Sequence, residues 1–311
     1  MNEAGRADGR VVCVVVTYNG MAWLDRCLGS LIASSAPVHV IVVDNGSTDG
    51  TVDHIRRAFP EVELIPTAEN LGFGRANNVG LRLALDRGAG HVFLLNQDAW
   101  VQPETIAELI RAAREHPTFG VISPMHLNGT GTALDGNFSS YIIPARCPGL
   151  YSDLVLGHPH DAPYPVQFVN AAAWLITRNC LETVGGFNPS FFHYGEDDNY
   201  LARMHFHGLK AGVVPSAWIH HDREQRNGSP HFEDFTTQVR KALITYSDPA
   251  CRKHINVEVN KLRRTMIQCL CSAQRTAFRT ARRHYRVLQA MDAQVVERNR
   301  EVSRLKGPSF L

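Results

Sequence analysis

No stretch of the 311 residues reaches the ~18 consecutive apolar residues that a membrane-spanning helix needs, and residues 1–10 (MNEAGRADGR) lack the apolar core of a signal peptide. The expectation is a cytoplasmic protein. Cysteine chemistry is also sparse. The seven cysteines, at 13, 27, 147, 180, 251, 269 and 271, form no CxxC pair and no Cys/His knuckle, and an odd number cannot all pair within one chain. Reduced thiols are expected, with Cys269 and Cys271 acting as small apolar side chains. Glycine-rich phosphate loops are missing as well. The first predicted strand runs into Thr17-Tyr18-Asn19-Gly20 instead of GxGxxG, and no GxxxxGK followed by Ser or Thr occurs anywhere. Gly72-Phe73-Gly74 follows the third strand and lacks the third glycine. Any bound nucleotide is therefore held without a glycine cradle. Its diphosphate charge must be met by a metal and by side chains such as Arg75, whose alternative is a plain surface position on a helix.

What is present describes a chain that can fold around a sizeable core: 44% of residues are hydrophobic and 20% charged. The net charge of +2 hides an asymmetry. Residues 252–311 hold 14 Lys/Arg against 4 Asp/Glu, which leaves 18 against 26 in residues 1–251. Apolar positions recurring between Leu262 and Leu305 predict helices with a basic face. Such a face meets anionic lipid headgroups at a membrane periphery, or is solvated, or joins copies into a homo-oligomer; nucleic acid is not expected.

Hydrophobic periodicity organises the first 120 residues into alternating strands and helices. Strands are predicted at 11–16, 39–43, 62–65 and 91–95, with helices over 21–33, 51–59, 74–87 and about 103–116. Residues 126–168 read as irregular with at most a hairpin. Order returns with a strand at 169–177, helices near 179–184 and 196–207, and strands around 210–214 and 217–220. This alternation predicts an α/β protein with a mostly parallel, Rossmann-like sheet flanked by helices, whose ligands lie beyond the carboxyl ends of the strands. The expected division is one domain over 1–245, with a nucleotide half at about 10–120 and a catalytic half at about 121–245, and a basic helical extension over 246–311.

Chemistry-bearing residues gather at those strand ends. Tyr18 offers a stacking face, and Asp44-Asn45-Gly46-Ser47-Thr48-Asp49 offers a carboxylate and small polar groups suited to a base imide and a ribose; the same residues also serve simply to shape turns and cap helices. Asn96-Gln97-Asp98 leaves the apolar strand 91–95, so Asp98 projects from a fixed edge where a hard cation can bridge it to phosphate oxygens, or where it caps the next helix. His220-His221-Asp222 ends the last strand, and alternation lets at most one histidine face a given site. The acidic run Gly195-Glu196-Asp197-Asp198 opens a helix, either as a base toward an acceptor or as compensation for the helix dipole.

In this order the segments VVVTYNG (14–20), VVDNGSTDGT (42–51), ENLGFGRANNVGL (69–81), FLLNQDAWVQPE (93–104), VGGFNPSFFHYGEDDNYLARMHFHG (184–208) and PSAWIHH (215–221) resemble the family 2 inverting glycosyltransferases of the GT-A fold, in particular the bacterial rhamnosyltransferase-like branch. The resemblance covers about residues 10–222. It implies a dTDP- or UDP-sugar donor near Thr17, Tyr18, Asn19, Asp44, Asn45, Ser47, Asn70 and Arg75, with Asn96 and Asp98 at the family's DXD position and a divalent Mn2+ or Mg2+ held by Asp98 and His221. It implies Asp197 as the base toward the acceptor hydroxyl, with Glu196 and Asp198 beside the acceptor. Trp174 lies either against a sugar face or in the core. The implied activity is transfer of one sugar, with rhamnose favoured, to a glycan or lipid-linked glycan in cell-surface polysaccharide synthesis. Relatives often read GEDVDL where this chain has Gly195-Glu196-Asp197-Asp198-Asn199-Tyr200, which points to altered acceptor hydrogen bonding. No QXXRW motif is evident, which argues against a processive synthase. A nucleotidyltransferase on a similar sheet and a non-catalytic binding module are the competing readings.

Overall fold

The computed structural model of the chain describes residues 10–223 and 234–311. Its first half alternates as the periodicity predicts: β1 (Val11–Thr17), α1 (Leu24–Ile32), β2 (Val38–Asp44), α2 (Thr51–Ala58), β3 (Glu63–Pro66), α3 (Phe73–Asp86) and β4 (His91–Asn96). The chain continues through β5 (Ala99–Val101), α4 (Thr105–Glu115), β6 (Phe119–Asn128), α5 (Gly136–Tyr141), α6 (Leu150–Leu156), β7 (Tyr164–Val166), β8 (Ala173–Thr177), α7 (Arg178–Val184), α8 (Glu196–Phe206) and β9 (Lys210–His221). Four helices follow: α9 (Phe235–Ser247), α10 (Ile255–Cys271), α11 (Arg275–Gln289) and α12 (Ala293–Arg304).

One sheet orders the strands β3-β2-β1-β4-β8-β6-β9-β5, with β7 also on β9. β1, β2, β3 and β4 are mutually parallel, and β1 reads as an unbroken apolar run because both its faces are covered. β8 runs antiparallel to both β4 and β6, so the sheet is mixed, and the amino end of β8 lies at the edge where β4 and β9 end. One core forms under α3, where Ala76, Leu81 and Ala84 face Val12, Val14, Ile41 and Val43. The other forms under α1 and α4, around Leu24, Leu28, Leu31, Ile106 and Leu109.

Several elements differ from expectation. Residues 119–128 form the long central strand β6, because polar Ser123, Pro124 and His126 are all buried inside the sheet and mask the apolar alternation in the sequence. The two short strands expected at 210–214 and 217–220 are one strand, β9, whose register against β6 slips between Pro124 and Met125 so that Val214 and Trp218 are successive partners. Pro215 sits at that irregularity, where a missing N–H costs no ladder bond. The segment 126–168 begins with a tight antiparallel turn in which Leu127 pairs with Leu134, as the expected hairpin, and continues through two short helices and β7. α9 begins the C-terminal helical part at Phe235, ten residues before the expected boundary after 245.

The C-terminal helices are bonded into the rest of the chain. Asn299 of α12 donates to Asn188 Oδ1 (3.2 Å) and Ser190 Oγ (2.8 Å), and His207 Nε2 lies 3.0 Å from Ser303 O. Arg300, fully buried, donates to Lys253 O at 2.7 Å. A small core of Tyr246, Ile255, Val259, Leu288 and Val296 joins α9 to α12. All seven cysteines are free thiols; Cys269 is buried as expected of a small apolar group, whereas Cys271 is exposed.

Gly80 on α3 lies directly over β1, where an added Cβ would drive into the Val14 side chain. Gly80→Ala is expected to destabilise the fold by about 1–3 kcal/mol through overpacking, read as a lower urea midpoint with an unchanged m-value.

Candidate active site

The carboxyl edge of β1, β2 and β4 is braced by side chains before any ligand arrives. Thr17 is buried and donates through Oγ1 to Gln97 Oε1 at 2.8 Å, and the Tyr18 N–H donates to the same oxygen at 2.8 Å. Gln97 thus ties the loop after β1 to the turn after β4, a role the sequence reading did not give it. Asn19, with φ +49°, donates its N–H to Ser47 Oγ (2.9 Å) and accepts from the Thr48 N–H through Oδ1 (2.9 Å). Asn45 donates to Asn70 Oδ1 (2.9 Å) and accepts from the Leu71 N–H (2.7 Å). Asn19, Ser47, Asn45 and Asn70 are therefore spent on holding three loops together. Asp44 differs. Its Oδ2 accepts from the Ser47 N–H at 3.1 Å, while Oδ1 is buried without a hydrogen-bond partner. A buried carboxylate oxygen left unmet is costly, so it marks where an N–H or O–H donor belongs. Tyr18 beside it is 46% exposed, leaving its ring face available.

Arg75 is exposed on α3 and donates to Pro189 O at 3.2 Å, which ties α3 to the loop that leads to α8. At the start of α3, Gly72 adopts φ +82° and leaves no room for a Cβ against the carbonyl of Phe192. The donor loops and the Phe191-Phe192-His193-Tyr194-Gly195 loop are thus in direct contact.

Asp98 lies in the tight turn between β4 and β5, and β5 pairs antiparallel with β9 so that Ala99 faces His221. The result is a buried pair, with His221 Nε2 at 3.4 Å from Asp98 Oδ1. Neither ring nitrogen of His221 has a hydrogen-bond partner. Its Nδ1 looks toward Asp135 Oδ2 at 3.7 Å. Asp135 escaped the sequence reading; its one available signal was its place as the N-cap of α5, where Oδ1 accepts from the Phe138 N–H at 2.8 Å. His220 faces the other way and stacks on Trp100, with ring centroids 5.3 Å apart. The single inward histidine expected from strand alternation is thus His221. Asn96 ends β4, half-buried, with its backbone N–H donated to Ala172 O at 2.9 Å. Among the described residues, no group of three or more His, Cys, Asp or Glu is arranged to hold a metal ion.

The acidic run opens α8. Gly195 takes φ +90° as its N-cap, and Glu196, Asp197 and Asp198 fill the first turn. Burial first, and then Asp197, push the Glu196 carboxyl up to about 8, and one of its oxygens is buried without a partner. Burial and then the neighbouring Asp198 push Asp197 up to about 7, against the pull of the backbone N–H groups of Asp198, Asp197 and Ala171. Asp198 is also raised, by burial, with Arg240 of α9 opposing. Tyr141 links this cluster to the histidine pair: its phenol is raised by burial and then by Asp197, Asp135 and Asp198, with Arg223 opposing. Tyr141 therefore lies within electrostatic range of both Asp197 and Asp135, the carboxylate that faces His221. Asn199 points away from the cleft and donates to Ser247 O at 3.2 Å.

Trp174 does not meet the expectation of an acceptor platform. It is fully buried, pairs with Leu94 across β8 and β4, and stacks on Phe187 with centroids 6.2 Å apart. Of the two places left open for it, the core is the one it fills. The exposed aromatics lie one loop away, at Phe192 and Tyr194.

Folding holds Glu196 as a neutral acid well above its ordinary range, so its ionisation costs stability progressively as pH climbs from about 4.5 to about 8, and nothing below that window. Glu196→Gln cannot ionise. The variant is expected to melt with the parent near pH 4.5 and several degrees above it at about pH 8, at roughly 2–4 °C per kcal/mol for a chain of this size.

Comparison with known proteins gives the family and the fold. The glycosyl transferase family 2 profile matches residues 12–160. The N-acetylglucosaminyl-diphospho-decaprenol L-rhamnosyltransferase of Mycobacterium tuberculosis is 31% identical over 262 residues, covering 76% of this chain and 83% of that protein. The dTDP-rhamnosyl transferase RfbF of Shigella flexneri is 22% identical over 218 residues, 69% of each chain. Among solved structures, a Pyrobaculum calidifontis mannosyltransferase in complex with GDP-Man and Mn2+ superposes with a TM-score of 0.54 at 19% identity, covering 94% of this chain and 73% of that one. That likeness speaks for the fold, a GT-A α/β architecture with a mixed, mostly parallel sheet. The chain is a glycosyltransferase and belongs to glycosyl transferase family 2.

Proposed function

We propose that the protein is a metal-dependent inverting glycosyltransferase that moves one sugar, rhamnose, from a thymidine or uridine diphosphate donor to a hydroxyl of a lipid-linked glycan. One observation supports the mechanism: Asp197, pushed up to about 7, acts on Tyr141 together with Asp135, the carboxylate beside the buried Asp98 and His221 pair. A group poised near neutrality can take a proton and release it again, which is what a general base needs. The substrates for which the relatives are named, a decaprenol-linked N-acetylglucosaminyl diphosphate and a dTDP-rhamnosyl unit, support the choice of sugar and acceptor.

In the donor half, Asp44 Oδ1 accepts from the imide N–H of the base and the exposed ring of Tyr18 covers its face, while Asn19, Asn45, Ser47 and Asn70 hold the loops in place. Arg75 fixes the neighbouring 189–195 loop against them. The unpartnered nitrogens of His221, buried beside Asp98, fit a divalent cation whose remaining ligands come from the diphosphate and Asn96. When bound, Mn2+ or Mg2+ would offset the negative charge growing on the departing diphosphate. Asp197 takes the proton of the acceptor hydroxyl as that oxygen forms its bond to the anomeric carbon. The bond from that carbon to the diphosphate breaks, and its electron pair leaves with the phosphate. A single displacement inverts the anomeric centre. Glu196, neutral near pH 7, can donate a hydrogen bond to the acceptor, and Asp198 is drawn toward Arg240.

Asp197→Asn is expected to lower turnover of a dTDP- or UDP-sugar by roughly 10²–10⁴-fold with donor binding retained. The parent rate should fall as pH drops below about 7, where the base becomes protonated. Undiminished turnover in the variant would falsify the assignment of the base.

His221→Ala is expected to weaken Mn2+ binding in the presence of nucleoside diphosphate by more than the ~10-fold that loss of even an outer partner costs. Calorimetric titration checks this without any turnover, and unchanged affinity removes His221 from the ligand set.

A further inference from the structure

The helices α10 and α11 form an antiparallel hairpin closed by Ser272, Ala273 and Gln274, with Ala273 at φ +55° and the Gln274 N–H donated to Cys269 O at 2.9 Å. Residues 255–289 hold eight Lys/Arg and a single acidic residue, Glu258. The charge is patterned. Arg275, Arg279, Arg282 and Arg286 recur at spacings of four, three and four, which places them in one stripe along α11, and all four are exposed. At ~1.5 Å per residue the stripe runs for most of a helix about 22 Å long. The exposed surface of the hairpin is not purely polar: toward its closed end α10 exposes Ile267 at 62% and Leu270 at 66%. The buried residues Ile255, Val259 and Leu288 sit near the open end, in the small core shared with α9 and α12. The open end is thus anchored, while the closed end presents large apolar side chains and arginines.

We propose that the closed end and arginine stripe of this hairpin dock on an anionic lipid bilayer. Exposed Leu and Ile beside a one-sided arginine array match a surface that is anionic at the headgroups and apolar just beneath, the two layers an interfacial amphipathic helix meets. Nucleic acid satisfies the charge but gives Ile267 and Leu270 nothing to enter. A second copy of the hairpin would set one arginine stripe against another. The inference rests on the proposed lipid-linked acceptor for its purpose, because such an acceptor confines the reaction to a membrane face. The binding itself requires neither substrate, so the two can fail separately.

Sedimentation of the full chain with vesicles is the test. The parent is expected to pellet with phosphatidylcholine mixed with phosphatidylglycerol, not with phosphatidylcholine alone, and to be released by salt. Arg275→Glu, Arg279→Glu and Arg282→Glu together should weaken binding by roughly 100-fold, about fivefold per basic residue at an anionic surface. Leu270→Ser should weaken it by about tenfold with every charge intact. Both variants should keep the parent melting temperature and its turnover of a water-soluble acceptor, which excludes misfolding. Equal binding to neutral and anionic vesicles overturns the proposal, as does an unchanged affinity in the triple variant. So does RNA capture of equal strength, or a dimer that the triple substitution dissolves.

Discussion

The pairing of β5 with β9 is the constraint on which the site depends. β5 is three residues long, yet it sets Ala99 opposite His221 and so brings Asp98, one residue earlier, to 3.4 Å from the imidazole. A shift of one residue would turn His220 inward, and the imidazole now stacked on Trp100 would replace the one facing Asp98. The same register brings the end of β9 beside the end of β6, where the chain turns into Asp135. Asp135 then reaches the far side of His221 while its other oxygen caps α5. The local ladder hydrogen bonds and the burial of Ala99, Val101 and Ile219 stabilise an arrangement of charged groups that would not hold itself together.

At the other end of the cleft, electrostatics are decided by desolvation. Three carboxylates in the first turn of α8 face a helix dipole worth about half a positive charge, which the sequence reading weighed as a structural reason for the acids. Were compensation of the dipole the dominant effect, their pKa values would fall below the ordinary range. Glu196 and Asp197 rise instead, to about 8 and about 7, because burial and mutual repulsion outweigh both the dipole and the backbone N–H groups. Asp198, half-buried beside Arg240, is raised too. Burying three acids together costs stability, and the arrangement is intelligible as the cost of holding one of them near neutrality for proton transfer.

Much of this was legible in the sequence, and the gaps have physical causes. β1 to β4 and their helices follow from hydrophobic period, because buried parallel strands are apolar on both faces. The strand-end positions of Asp44, Asp98 and His221 followed directly, as did the choice of one inward histidine. β6 was hidden because buried Ser123 and His126 satisfy one another at 3.1 Å, so polar letters occupy interior positions. Asp135 and Gln97 were missed because each acts across about eighty residues of chain, which no local pattern encodes. Trp174 was ambiguous for the opposite reason: a large aromatic serves a core and a sugar equally well in sequence, and the packing of Phe187 and Tyr200 around it decides.

The C-terminal helices read from sequence as an appendage, and their hydrogen bonds give them a larger part. Asn299 holds Asn188 and Ser190 at the start of the loop that ends in Gly195, and Arg240 of α9 lies over the ring of Tyr194 at 5.3 Å. Tyr194 sits at φ +64°, a conformation a bulky residue keeps only when its surroundings fix it. The loop that delivers Asp197 is therefore gripped from both ends by helices of the C-terminal part. α9 is in turn held by α11, whose Arg286 stacks over Phe235 and whose Arg283 bonds Gln238 Oε1 at 2.6 Å. A continuous path of packed and hydrogen-bonded groups thus runs from the basic hairpin through α9 to Tyr194, three residues before Asp197. A force on the hairpin can reach the loop before α8 through these contacts, which bear on the residues just before Asp197.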